Sequence, residues 1–361
     1  MPNLPAARSK PRAPIPQAAF AAAAVLAAAG LALISPAEAF AEDGPKGETL
    51  VYTASGATTA VLPLLWALEK GWPGSPAAVE EWKSLDDLRS LVLAGKGDVW
   101  VGHLEAFGRA ASKGARVTLL AVTAWRKFYF VSGPVQGPAG KEAAYPAGPS
   151  ELAGLLAGKG LSLYAAPQSS PASGILAKIA SLGGPSFDVK ALPLQQVLLE
   201  LASGRATAAL VPEPGVSAAL ARNPSLRVVG SLEDEYAAIA GGQARLPHAG
   251  VAADPAFIGA NPERAESLVS LMLEGAESLA AMPPEEAARR LPAPLREGLG
   301  EKTLADSLSR DPILAVRASE VEKEVETFLC LAAPEICRRG APAPPFPADF
   351  VYRGKPAAPR Q

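Results

Sequence analysis

Residues 85–101, LDDLRSLVLAGKGDVWV, and residues 194–210, LQQVLLELASGRATAAL, carry one pattern twice, 109 positions apart. In each copy apolar side chains at helical spacing run to a glycine followed by a base, Gly95-Lys96 and Gly204-Arg205, and then into an apolar strand. A glycine just beyond a periodic segment is a helix stop, because it can take the left-handed backbone that ends a helix. Each copy also follows a strand that enters a small polar loop and a new helix. These are Leu50–Ser55 ahead of Ala57-Thr58-Thr59, and Leu161–Tyr164 ahead of Ser169-Ser170-Pro171. Alternating strands and helices predict parallel sheets covered on both faces. The repetition predicts two related lobes, and paired loop-to-helix turns on two lobes make a ligand cleft.

Outward from the repeats, the first lobe reads as residues 48–132, with strands at Leu50–Ala54, Ala78–Trp82, Asp98–Val101 and Val117–Ala124 and an apolar run Phe128–Val131. Gly and Pro crowd Ser132–Ser150, which predicts a crossing segment into a second lobe over residues 133–244. Gly241-Gly242 to Pro247 reads as the return crossing, and His248–Ala252 as a strand that rejoins the first lobe, whose second part with the C-terminal helices covers residues 245–335. The helix Pro262–Ala281 starts with Asn261 as cap and Pro262 at its first position. Two more helices are expected near Pro284–Leu291 and Leu314–Leu331, followed by a Pro/Ala-rich tail over residues 341–361, extended on the surface or disordered.

The chain has 361 residues, 49% hydrophobic and 19% charged, which is ample for two lobes with buried cores and excludes both a disordered chain and an all-membrane protein. Residues 1–39 read as an export signal: a basic segment with Arg8, Lys10 and Arg12, an apolar run Ala18–Ile34, then Ser35-Pro36-Ala37-Glu38-Ala39. Cleavage is expected before Phe40 or, two residues on, before Glu42; a retained anchor is the alternative, although the run is Ala-rich and short for a span of about 20 residues. No cysteine lies near the cut to carry lipid, so the mature protein is expected free in the periplasm. Removal of the signal takes the net charge from −2 to about −4, and no basic surface for nucleic acid is indicated. Cys330 and Cys337 are the two cysteines, and in an oxidising compartment a local disulfide is expected, stabilising by roughly 2.5 kcal/mol on the chain-entropy model, with two free thiols the alternative.

Three stretches carry a family resemblance. They are Leu88–Val101 with Ala94-Gly95-Lys96-Gly97-Asp98, the second copy ending Ala209-Leu210-Val211-Pro212-Glu213-Pro214, and the helix start Asn261-Pro262-Glu263. Over residues 48–310 the chain resembles the periplasmic substrate-binding proteins of ABC importers, in the nitrate, sulfonate, taurine and thiamine-precursor group. The resemblance implies an α/β, two-lobed periplasmic binding protein type II fold, with two doubly wound mixed sheets joined by two crossover segments. It also implies capture of a small solute, delivery to an ABC permease in the inner membrane, a monomeric carrier and no cofactor. The chain departs from the pattern at Thr207, where the second copy usually has an Asp, which is read as a turn-fixing residue.

In open parallel sheets a ligand lies beyond the carboxyl ends of the strands, where helix N-termini offer free N–H groups. Four turns qualify. Ser55, Thr58 and Thr59 can hold an oxyanion, with capping of the next helix as the alternative for the two threonines. His103 follows the Asp98 strand and can donate to ligand or be a satisfied structural group. Ser169 and Ser170 open the helix at Pro171, with Ser170 as its cap. Glu213 can bind a cationic part of the ligand or brace the hinge. Trp82 and Trp125 can stack a flat ring and Arg126 can pair with an oxyanion, with hinge packing as the alternative for Trp125. No metal site is expected from two thiols without a nearby His.

Two rival functions stay open. An enzyme of cofactor biosynthesis uses the same kind of scaffold, but the chain lacks a G-x-S-x-G elbow, an H-E-x-x-H helix and a phosphate loop. A ligand-binding sensor input protein would carry the same cleft.

Overall fold

The computed structural model describes residues 49–54, 58–72, 77–125, 128–136, 143–166, 170–240, 246–291, 293–337 and 346–354. Among them the strands are β1 (Thr49–Ala54), β2 (Ala77–Trp82), β3 (Val99–His103), β4 (Thr118–Ala124), β5 (Phe128–Ser132), β6 (Val135–Gln136), β7 (Ala143–Ala144), β8 (Leu163–Ala165), β9 (Val189–Ala191), β10 (Ala208–Pro212), β11 (Arg227–Ser231), β12 (Ala249–Ala253) and β13 (Val316–Arg317). They form a six-stranded sheet in the order β13-β4-β12-β3-β1-β2 and a five-stranded sheet in the order β11-β5-β10-β8-β9, with β6 and β7 as a short separate ribbon. Both large sheets are mixed.

The two copies of the repeat fold alike. Helix Leu85–Leu93 leads through Gly95 at φ 61° to β3, and helix Leu194–Ala202 leads through Gly204 at φ 70° to β10. In the first copy the Lys96 N–H closes onto the Leu91 carbonyl at 2.9 Å, so the left-handed glycine lets the backbone satisfy the helix end. Asp98 then accepts the Leu50 N–H at 2.7 Å, which ties the loop to the amino end of β1.

Each sheet holds one central strand that runs against its neighbours and arrives from the other sheet. β12 is antiparallel to β3 and β4, with Val251 between Val101 and Ala121, and β5 is antiparallel to β10 and β11. Phe128–Val131, grouped with the first lobe by sequence order, therefore belongs to the second sheet, and the chain crosses directly after Trp125 rather than through the Gly/Pro-rich segment that follows Ser132. Its alternation hides this, because all five residues of β5 are buried. The two crossings lie side by side: the His248 N–H donates to the Ala124 carbonyl at 2.8 Å, and the His248 carbonyl accepts the Leu104 N–H at 3.0 Å.

Two C-terminal segments also differ from expectation. Leu314–Leu331 is not one helix: Val316 and Arg317 pair with Val122 and Ala121 as the edge strand β13, and the helix runs only over Glu322–Ala332. The open edge of β4 takes the β-branched Val316 before the helix can begin. Within the tail, residues 346–354 are anchored on the first sheet. Phe350 is fully buried with its ring tilted against Phe346, centroids 4.6 Å apart, and the Tyr352 N–H donates to the Leu119 carbonyl at 2.9 Å. Aromatic burial holds a segment whose composition reads as surface chain.

Helix Glu322–Ala332 packs its Phe328, Leu329 and Leu331 into a continuous core that includes Trp82, Trp100 and Phe107 of the first sheet layer and Phe130, Ile175 and Leu210 of the second. Close approach is built in on both sides, since a Cβ on Gly108 would lie 2.7 Å from Leu329 and one on Gly174 2.8 Å from the Leu331 carbonyl. Cys330 and Cys337 form a disulfide at its end. A second core joins Leu62, Leu64 and Leu65 with Val251, Leu268, Met272, Leu304 and Leu308 on the other face of the first sheet. No helix among the described residues is long and apolar enough to cross a membrane.

The insertion of β12 demands small side chains. A Cβ on Gly250 would lie 2.4 Å from the Ala121 carbonyl and 3.1 Å from Leu104 and Leu119. Gly250→Ala is expected to destabilise by about 2 kcal/mol through overpacking against backbone, read as a lower urea midpoint with an unchanged slope; a midpoint equal to wild type would show that β12 and β4 can separate without cost.

Candidate functional site

β1, β3, β4, β8 and β10 point their carboxyl ends toward the turns selected from sequence. In the first turn Thr58 is half-buried with extended backbone (φ −138°, ψ 139°) and begins the turn that runs into helix Leu62–Glu69, without capping it by its side chain. Thr59, 7% exposed, donates its hydroxyl to Asp311 Oδ2 at 2.6 Å. In the second turn His103 begins helix Leu104–Ser112 and sets its ring edge-on to Trp82, with centroids 6.5 Å apart. Ser170 begins helix Pro171–Ser181 with extended backbone, but its Oγ makes no cap bond, in contrast to the expected capping, and is a buried oxygen without a partner. Ser55, Arg126 and Ser169 lie outside the described residues.

The two tryptophans are buried rather than open to a cleft. Trp82 is 7% exposed and donates Nε1 to the Val101 carbonyl at 2.8 Å, while Trp125 is 8% exposed where the chain leaves the first sheet. Glu213, 1% exposed, follows β10 and precedes a cis peptide to Pro214. Its carboxylate accepts the Ser217 N–H at 3.2 Å and the Ser217 hydroxyl at 3.1 Å, and Arg310 Nε stands 3.6 Å away.

The structure brings the first and fourth turns together. Thr58, Thr59 and Pro214 share a void of about 10 Å³ with Ser307 and Leu308 of helix Glu301–Arg310. No hydrogen bond joins Ser170 to them. Two open concavities, about 620 and 410 Å³, flank helix Pro171–Ser181 and contain none of the turns. Gly174 and Ala177 line both, with Lys178, Tyr236 and Glu326 at the larger one. The strand ends, where helices begin and ligands of open α/β sheets lie, are the candidate site.

Sequence reading passed over several polar residues there. Thr53 and Glu81 are register partners on β1 and β2, and Thr53 Oγ1 and Glu81 Oε1 are both buried without a hydrogen-bond partner at the carboxyl edge of the first sheet. Alternation along β2 could have singled out Glu81, since it shares a face with Val79. His248 is fully buried between Phe128 and Phe328, both with ring centroids 5.1 Å away, and its Nε2 is 2.8 Å from Glu233 Oε1. Nothing local links residues 15 positions apart in different segments. Among the described residues no group of three or more His, Cys, Asp or Glu is placed to hold a metal ion.

No protein-family model matches the chain, and no curated protein matches it in sequence. Solved structures do match. The periplasmic aliphatic sulphonate-binding protein SsuA from Escherichia coli is similar with a TM-score of 0.62 at 15% identity, covering 88% of this chain and 96% of that one. The chain has the periplasmic binding protein fold. An ABC transporter from Parabacteroides distasonis is similar to this binding-protein fold at TM-score 0.60 and 15% identity, over 85% of this chain and 99% of that one. The alkanesulfonate-binding protein SsuA from Xanthomonas axonopodis pv. citri, bound to MOPS, gives 0.54 at 16% identity over 77% and 89%.

Within this binding-protein fold Glu213 carries the strongest electrostatic signature of the four turns. Burial raises its pKa above the ordinary 4.5, outweighing the opposing Ser217 hydrogen bonds and the Arg310 charge, while the nearby Asp311 charge raises it further. A carboxyl group with a raised folded pKa contributes stability that is fully present below 4.5 and is lost as pH rises through the raised value. Wild type is therefore expected to lose melting temperature relative to Glu213→Gln over that window and to run parallel to it at higher pH. Melting curves of both proteins from acid to neutral pH test this; parallel curves throughout would place Glu213 in contact with water.

Proposed function

We propose that the chain is the periplasmic solute-binding component of an ABC-type importer. It captures a small solute, anionic or flat and heteroaromatic, between two lobes, and delivers it to a permease in the inner membrane. The observation that carries this reading is the exchange of strands between two mixed sheets whose crossings lie side by side, with the first and fourth strand-end turns sharing one void. Two adjacent crossings allow one lobe to rotate on the other. A solute that touches both lobes then shifts the population toward the closed form by its differential affinity. Similarity to sulfonate-binding and ABC transporter structures supports the same reading at the level of fold. The lobes are assigned as residues 48–132 and 245–335 for the first and 133–244 for the second, amended by the place of β5 in the second sheet. Residues 1–39 are assigned as a cleaved export signal, and the carrier acts as a monomer.

In this reading the solute meets Ser55, Thr58 and Thr59 from one lobe and Ser169 and Ser170 from the other. His103 and Arg126 supply donors, and no chemistry is done on it. The buried Trp82 and Trp125 back the site, so contact with a flat ring requires the lobes to part around them. The unpartnered Ser170 Oγ is available for a ligand donor or acceptor.

The purified mature protein is expected to rise in melting temperature in a screen of sulfonates, nitrate, amino acids, pyrimidines and purines, and to leave the stabilising compound unchanged by mass spectrometry. A product in the mixture would replace the carrier by an enzyme. Arg126→Ala is expected to weaken an anionic hit by more than about 1.5 kcal/mol, as for a charged hydrogen bond lost from a site, measured by titration calorimetry. Unchanged affinity would remove Arg126 from the site.

A further inference from the structure

We propose that Arg310 and Asp311, at the end of helix Glu301–Arg310, form a latch between the two lobes that holds the Thr58-Thr59 turn and the Glu213-Pro214 turn in fixed relation. The purpose of the latch rests on the binding function above; its existence rests on geometry alone.

Helix Glu301–Arg310 belongs with the first sheet, because its Leu304, Ala305 and Leu308 are buried in the same core as Leu62, Leu64 and Val251. Asp311, 2% exposed, accepts the Thr59 hydroxyl at 2.6 Å and so anchors the first turn from behind. Arg310 reaches the other way. Its Nε stands 3.6 Å from the Glu213 carboxylate, its Nη1 lies 3.4 Å from the Ser217 hydroxyl, and its carbonyl accepts the Tyr129 hydroxyl at 2.5 Å. Tyr129 lies on β5, and Glu213 and Ser217 follow β10, all in the second lobe. One dipeptide therefore contacts a turn of each lobe, at a third place besides the two chain crossings.

The two halves of the latch respond differently to lobe motion. Thr59 and Asp311 are both fixed to the first lobe, and their bond survives any rigid rotation. The contacts of Arg310 join parts that rotation separates, and they must break or slide when the lobes open. Glu213 is withdrawn from water, and a buried carboxylate that loses its cationic partner is costly to leave unpaired. The Arg310 half thus resists opening, while the Asp311 half holds the first turn in place on its own lobe beside Arg310.

The test uses the full mature chain without added solute, carrying spin-labelled unnatural amino acids at Lys96 in the first lobe and Leu199 in the second. Both positions are exposed and outside the latch. Electron–electron double resonance reads the distance between them. Tyr129→Phe and Arg310→Gln are expected to shift or broaden the distance distribution toward greater separation, and Arg310→Lys to restore part of the wild-type distribution. A merely structural role would lower the unfolding midpoint and leave the distances unchanged. Wild-type distributions in folded Tyr129→Phe and Arg310→Gln would overturn the latch; should Arg310→Gln fail to fold by circular dichroism, Tyr129→Phe decides alone. Failure of the binding function would appear separately, as wild-type protein that no compound in the solute screen stabilises.

Discussion

The fold depends on the insertion of one short strand. Ala249–Ala253 enters between β3 and β4, antiparallel to both, and is buried along its whole length. Without it the first sheet would fall into two parts, because β3 and β4 have no direct pairing. At Gly250 the backbone of β4 leaves no room for a Cβ. Since the strand arrives from the far lobe, completing the first sheet also fixes where the second lobe attaches. β5 does the same in the opposite direction, so each sheet is finished by chain that has just left the other.

Buried polar groups cluster in several places, among them Glu105 with Arg89 and Arg109. His248 meets Glu233 between two phenylalanines beside one crossing, Arg310 meets Glu213, Ser217 and Tyr129 of the second lobe, and Asp311 holds Thr59 within the first. Helix Glu322–Ala332 adds an apolar contact to both lobes, closed at its end by the Cys330–Cys337 disulfide. Apolar packing tolerates small sliding motions, whereas buried charges and hydrogen bonds have few acceptable arrangements. The polar contacts of Arg310 with Tyr129, Glu213 and Ser217 are therefore more sharply defined in geometry than the apolar core.

The repeat was legible because its signals are local. Helical spacing, a left-handed glycine and an apolar strand act within 17 residues, and Gly95 and Gly204 end their helices as such positions should. The positions of Thr58, His103, Ser170 and Glu213 at strand ends were legible for the same reason. Their partners were not. Asp311 meets Thr59 across 252 positions and Arg310 meets Ser217 across 93, and no periodicity relates such pairs. The edge strand β13 and the anchored segment 346–354 were missed because each is held by long-range contacts with β4, at Val122 and Ala121 and at Thr118 and Leu119, that outweigh local composition.

Sequence by itself determined the α/β class, the two-fold repetition, the strands and helices of the two repeats and the turns where their strands end, because each follows from side-chain period and backbone preference over a few residues. Tertiary structure alone decided which sheet β5 joins, that Trp82 and Trp125 are buried, and which buried groups meet across the lobes. The physical reason is that burial and pairing depend on what the rest of the chain brings alongside. A strand with apolar residues on both faces is equally suited to either sheet until its neighbours are in place.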